Sequence, residues 1–370
     1  MKISNIQFIE NQSIDQNLAS EETKMTDEQQ SSLQEQMVDI ATNFSHQNST
    51  QEEAIEQQEE ENHQPSLQNS SINGQFSIVR RLGPGTDLHK QVYRVLSIRD
   101  SKEYVVKVYM QDEQGQYYLE VANNNLIDRN TTRQVLMLQS VALNEVEAPL
   151  LLEGVSYSHY SYFVMPYYRN GTLLDLIMNY NKKERTMPTE LKNYLWLQCL
   201  LCVYDLLGRS GLSHLDLKPD NFIIDDDYRL RLIDFGHSTL FNQPTNAETG
   251  TPNFMAPEIY FRNQRRYIPE KADIFNLGVI LHIIQFQKVP FGRALPNDQL
   301  YVYVGRNDFN GFFLAHNAVG YPLEGLKLIW QCLQVQAARR PTIHDLLVHP
   351  LARQTNPNFT HELMKQILLL

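Results

Sequence analysis

Cysteine is scarce in this sequence, with three in 370 residues. Three thiols cannot build a disulfide framework, which argues against a small secreted, disulfide-stapled scaffold. A reducing compartment is the expected setting, the cytoplasm first and the nucleus also open. Long hydrophobic runs are missing too. None approaches the roughly 20 residues that a membrane-spanning helix needs, so no membrane partner is expected. The opening MKISNIQFIENQ has neither the apolar stretch nor the cleavage site of a secretory signal. Positive charge is short in one region only. Residues 1–75 hold 14 acidic side chains against 2 basic ones, and the rest of the chain holds 29 against 30. The net charge of −11 therefore belongs to the amino-terminal segment, and its sign argues against a nucleic-acid partner.

That segment is Gln, Glu, Ser and Asn with scattered apolar residues, as in QEEAIEQQEEENHQPSLQNSS. Such a composition buries too little surface to offset the entropy of ordering, so 1–75 reads as a disordered tail. A frayed helix is expected near 26–41, where Leu33, Met37 and Ile40 have helical spacing. Binding a regulatory partner is the alternative use of the tail. From Phe76 the pattern changes. FSIVRRLG, QVYRVLSI and EYVVKVYM alternate as three successive strands, and long helical patterns dominate after about 172. A strand-rich part followed by a helix-rich part predicts an α+β fold of two lobes meeting at a cleft.

Three stretches carry chemistry. Leu82-Gly83-Pro84-Gly85 follows the first strand, where two glycines would let backbone N–H groups approach phosphates. The strand at 104–109 puts Val105, Lys107 and Tyr109 on one face. A lysine inside an apolar strand is either a snorkelling edge residue or one aimed at a ligand, because an unpaired buried ammonium is costly. Then Ser213-His214-Leu215-Asp216-Leu217-Lys218-Pro219-Asp220-Asn221 precedes a strand pair that ends at Asp234-Phe235-Gly236.

In their order and spacing these motifs resemble the eukaryotic protein kinase family, serine/threonine type. The resemblance runs from about residue 76 to 351. It implies the two-lobed kinase fold, with an N-lobe at about 76–165, a C-lobe at about 172–352 and a short extension over 353–370. By the same resemblance, Asp216 is the catalytic aspartate, Lys218 steadies the transferring phosphoryl group, and Asn221 and Asp234 are magnesium ligands. Leu82, Gly83, Gly85, Val92, Val105 and Lys107 line the ATP site. Met165 stands at the gatekeeper position, and Pro166 and Tyr168 lie in the hinge, where the Pro166 carbonyl and the Tyr168 N–H would meet adenine. Lys218 with Thr251 is the serine/threonine pattern. Glu258 would pair with Arg340, Asp273 would brace the catalytic loop, and His214 would pack beside Phe235. Asp220 hints at a preference for basic substrates. The C-lobe is similar to the calcium/calmodulin-dependent-kinase-like group.

The chain also departs from the family pattern. Lys90 replaces the third loop glycine, and two extra residues separate Gly85 from Val92. Apolar spacing around Val135, Leu136, Met137 and Leu138 places Gln134 where the family has the glutamate that pairs with the strand lysine. Glu120, 13 residues after Lys107, is a substitute without the matching apolar pattern. Leu215 stands in place of an arginine, and Ala247 in place of a phosphorylated threonine, so activity independent of activation-loop phosphorylation is expected. The implied activity is transfer of the ATP γ-phosphoryl group, with Mg2+, to hydroxyls of protein substrates. The alternative is a nucleotide-binding pseudokinase scaffold. Cys199 and Cys202 lie in an apolar helix and read as core, and Asp225-Asp226-Asp227 reads as a solvated hairpin turn.

Overall fold

The computed structural model describes residues 70–82, 91–127, 139–260, 266–353 and 357–368. The tail up to residue 69, the glycine loop with Gly83, Gly85 and Lys90, and Gln134 lie outside the described residues.

The first lobe is one eight-stranded sheet. Its strands are β1 (Ser71–Ile72), β2 (Phe76–Leu82), β3 (Gln91–Ser97), β4 (Glu103–Met110), β5 (Gln139–Val141), β6 (Leu150–Leu152), β7 (Val155–Tyr157) and β8 (Tyr160–Pro166). Their spatial order is β5-β8-β4-β3-β2-β1-β6-β7, with every pairing antiparallel. Period-two alternation gives the sheet two faces. Tyr93, Val95, Val106, Val108, Tyr162 and Val164 point into the lobe's own core, while Lys107 and its same-face neighbours look the other way.

Folded structure begins earlier than composition suggests. Residues 70–75, expected to be tail, are built into the sheet. Ile72 is fully buried, and β1 lies between β2 and β6. Asn73 and Gly74 turn the chain with positive φ of 52° and 61°. The Asn73 amide donates to the Tyr162 hydroxyl at 2.9 Å, and its oxygen takes the N–H groups of Glu147 (2.8 Å) and Ala148 (2.7 Å). The β6–β7 hairpin, also unforeseen, turns at Glu153 and Gly154, again both at positive φ.

Helix α1 (Gln114–Leu126) follows β4 after one 3-10 turn and packs on β4 and β8. The second lobe is mainly helical, built on α2 (Leu173–Lys182), α3 (Thr189–Asp205), α4 (Pro269–Phe286) and α5 (Leu323–Cys332). Helix α4 is apolar nearly all round, as a helix at the centre of a lobe must be. It meets α5 closely at Gly278, where a Cβ would lie 2.6 Å from that of Cys332. Cys199 and Cys202 are buried free thiols in the core. The extension after residue 353 holds a further helix, α6 (Pro357–Leu368), which packs on α3 with Met364 fully buried. Two small two-stranded sheets follow in the second lobe: β9 (Leu212–Ser213) pairs with β12 (Thr239–Leu240), and between them in the chain β10 (Phe222–Ile224) pairs with β11 (Leu230–Leu232) as a hairpin. The Asp225–Asp227 turn joins the latter pair, but Asp225 is buried rather than solvated. Its carboxylate takes the N–H groups of Asp227 and Arg229 and the Arg231 guanidinium.

Candidate active site

The sheet presents one row to the cleft. Leu82 pairs with Val92, Val92 with Lys107, and Lys107 with Phe163. Val105 pairs with Met165 one step along the same face. Leu82, Val92, Val105 and Met165 are half-buried, which makes an apolar wall on both sides of the lysine. Pro166 closes β8, and Tyr168 is half-buried just beyond it.

Lys107 is 6% exposed. Its Nζ lies 2.8 Å from Glu120 Oε2 and 2.8 Å from Asp234 Oδ1. The glutamate that meets this lysine is therefore Glu120. The reason is spatial. Helix α1 starts only four residues after β4, so its inward face reaches the strand within two turns. Burial opposes the ammonium, but the Asp234 and Glu120 carboxylates outweigh it and hold Lys107 well above its ordinary pKa. Burial also raises the Glu120 carboxyl, opposed by Lys107. Gly236 lets this cluster close, because a Cβ there would stand 3.1 Å from Glu120 Oε2.

Across the cleft, the 213–221 loop is held by backbone contacts. Asp273 of α4 accepts the N–H groups of His214 and Leu215, each at 2.7 Å. Burial pushes Asp273 up to about 7, while those two donors pull it down. Leu215 is buried with a φ of 63°, and Asp234 has a φ of 65°. Left-handed residues that are not glycine cost on the order of 1–2 kcal/mol and gather at active sites. His214 packs edge-on against Phe235, with ring centroids 5.5 Å apart.

Asp216 is nearly buried. Its Oδ1 accepts the N–H and hydroxyl of Thr251, both at 2.7 Å. Lys218 Nζ bridges Thr251 Oγ1 (2.7 Å) and Asp216 Oδ2 (3.1 Å). The Asn221 amide nitrogen donates to the Asp216 carbonyl at 2.7 Å, so the amide oxygen is the part of that group able to hold a metal. Ile233 N–H donates to the Asn221 carbonyl at 3.0 Å, so the β10–β11 hairpin returns Asp234 to the neighbourhood of Asn221. One amide oxygen and one carboxylate are hard donors. Such a pair fits Mg2+, which keeps waters and shares its shell with phosphate oxygens. Among the described residues no three His, Cys, Asp or Glu side chains form a metal cage. The donor set thus suits a metal that arrives with a nucleotide.

The segment after Asp234 is fastened by several hydrogen bonds. Thr245 and Tyr267 exchange backbone hydrogen bonds at 3.0 and 2.8 Å. The Tyr267 hydroxyl donates to the Ala247 carbonyl at 2.9 Å, and Thr249 bonds His237. Glu258 and Arg340 form a two-pronged pair at 2.6 and 2.7 Å, with the guanidinium buried. Among the described residues no helix is long and apolar enough to cross a membrane.

The family model described as protein kinase domain matches residues 76–352. CBL-interacting serine/threonine-protein kinase 20 of Arabidopsis thaliana is 27% identical over 278 residues, covering 74% of this chain and 57% of that protein. Serine/threonine-protein kinase CHK1 of Saccharomyces cerevisiae is 23% identical over 231 residues, covering 61% and 42%. Serine/threonine-protein kinase ppk34 of Schizosaccharomyces pombe is 30% identical over 166 residues, covering 44% and 45%. The chain spans about half the length of the curated relatives it matches. With the family's model covering both lobes of the structure, the chain belongs to the protein kinase domain family.

Proposed function

We propose that this chain is a serine/threonine protein kinase that transfers the γ-phosphoryl group of ATP, with Mg2+, to hydroxyls of protein substrates. The observation that carries the reading is the buried Lys107–Glu120 pair, with Asp234 on the same ammonium and Asp216, Lys218 and Asn221 across the cleft. Lys107 is placed to meet nucleotide phosphates, and the apolar wall is suited to an adenine ring. Bound at Asn221 and Asp234, Mg2+ would neutralise phosphate charge. Asp216 would take the proton of the substrate hydroxyl as its oxygen bonds to the γ-phosphorus and the bond to ADP breaks. Lys218 would steady the moving phosphoryl group, held in place by Thr251. The pseudokinase alternative rests on Gln134, the altered phosphate loop and Leu215, and the Lys107–Glu120 pair weighs against the first of these.

The test is radiolabelled phosphate transfer from Mg-ATP to a generic basic protein. Wild type should transfer, chelation of the metal should stop it, and Asp216→Asn should reduce it by about a hundredfold or more. Nucleotide binding without transfer in wild type would replace the reading with a scaffold.

A further inference from the structure

Two buried polar side chains near Glu120 have no part in the chemistry above. Tyr109 stands two residues after Lys107 on the same face of β4 and is 1% exposed. Its ring packs against Tyr117 and Phe163, at centroid distances of 5.8 and 5.6 Å. A phenylalanine would fill that apolar slot equally well. The hydroxyl is directed to one acceptor, Oε2 of Glu120, the same oxygen that receives Lys107. Asn123 lies three residues beyond Glu120, so it shares that face of α1. Its amide nitrogen donates to the carbonyls of Phe235 (2.8 Å) and Ser238 (2.9 Å). Both hydrogens of that amide are thereby used.

These bonds form a continuous path from the sheet, through the helix, to the backbone that follows Asp234. The helix needs such ties. It has 13 residues, no side-chain cap at its start, and an outer face on which Tyr118, Leu119 and Leu126 are exposed. A helix of that length is marginal on its own in water. Only its inner face fixes where the Glu120 carboxylate stands.

We propose that Tyr109 and Asn123 are positioning residues that latch α1 from both sides and so keep Glu120 on Lys107. Tyr109 fixes the carboxylate itself. Asn123 fixes the helix against the turn after Asp234, so the two carboxylates that share the Lys107 ammonium move as one body. The inward position of α1 is then intrinsic to the domain. The proposal rests on the kinase reading for its catalytic consequence, though not for the latch.

The experiment uses the full chain with Tyr109→Phe and Asn123→Ala, each in the wild-type and the Glu120→Gln background. Steady-state kinetics with varied ATP and amide hydrogen exchange are both measured. In the wild-type background each variant should lower kcat about tenfold, since Tyr109→Phe loses one hydrogen bond to a charged group and Asn123→Ala loses two to backbone carbonyls. In the Glu120→Gln background the Tyr109→Phe effect should shrink to less than about threefold, because the oxygen that the hydroxyl meets no longer carries charge and no longer pairs with Lys107. Exchange should quicken over 114–126 and not over β3 or β4. Equal losses in both backgrounds with a lowered Tm would overturn the proposal in favour of plain packing, and so would unchanged exchange in α1. Should wild type transfer no phosphate, exchange alone decides. Faster α1 exchange would then keep the latch while the kinase reading fails.

Discussion

On the sheet side of the cleft the charges hold one another. Lys107 reaches Glu120 and Asp234 across gaps between a strand, a helix and a loop, and each contact is side chain to side chain. On the helical side backbone groups do much of the holding, although Lys218 is tied to Asp216 and Thr251 through side chains. Asp273 grips two N–H groups, Asn221 grips a carbonyl, and Thr251 offers its own N–H to Asp216. The difference separates two kinds of precision. A backbone-held group stays where its loop stays. A pair formed between elements is only as good as their relative placement. The helical half is therefore the fixed reference, and the sheet half is where activity can be tuned.

Replacing Asp273 with alanine should have the largest effect. It strands two buried N–H groups, each worth about 1–3 kcal/mol, and releases Leu215 from its left-handed backbone. Chemical denaturation should show a loss of roughly 2–6 kcal/mol, and phosphate transfer should vanish. Survival of activity in this variant would break the view that the helical half is the reference.

Acid should also strike the helical half first. His316 donates to the Pro290 carbonyl, its ring lies against His282, and burial lowers it to about 4. Its folded value lies below the ordinary 6.5, so its contribution is full above pH 6.5 and is lost as pH falls toward 4. That loss amounts to about 3 kcal/mol, at 1.36 kcal/mol per unit. Stability measured at pH 7 and pH 4.5 should diverge less in His316→Gln than in wild type.

Glu120→Gln tests the sheet half. It keeps the shape and removes the charge that Lys107 needs, so kcat/KM should fall by about tenfold to a hundredfold. Stability should change by less, since the neutral amide is cheaper to bury. Gln134→Ala should leave kcat/KM unchanged, and a loss equal to that of Glu120→Gln would reverse the assignment. A small change is expected from Thr245→Ala with Thr249→Ala. Thr245→Ala keeps the backbone contacts but loses the exposed bond from the Ala247 N–H to the Thr245 hydroxyl, and Thr249→Ala loses one bond to His237, each worth about 1 kcal/mol. Abolished transfer in this double variant would show that a phosphorylated threonine, not the Tyr267 contacts, sets the segment.

The same contrast explains what could be read from the linear chain. Asp216, Lys218 and Asn221 sit within six consecutive residues, and a local loop holds them, so their arrangement was legible in order and spacing. The alternation of Val105, Lys107 and Tyr109 was legible for the same reason. Glu120 was misjudged because apolar periodicity was the criterion. The inward face of α1 carries Tyr117, which packs on Tyr109, and then Glu120 and Asn123, which are polar because they face the site. A search for polar residues at spacings of three after the strand would have found it. β1 was missed although Asn73-Gly74 between Ile72 and Phe76 is a strong hairpin signal, because the surrounding composition resembled the tail. β5, β6 and β7 have only three residues each, too few for any period to show.

β1 has a consequence for how this domain can be handled. It is two residues long, yet it lies in the middle of the sheet, bonded to β2 on one side and to β6 on the other. A fragment trimmed to start at Phe76 would lose no strand recognisable from the family match, but it would open the sheet along two raw edges at once. Unpaired edges of this kind recruit strands from neighbouring molecules. Such a fragment should aggregate, whereas one that starts just before Ser70 should remain monodisperse.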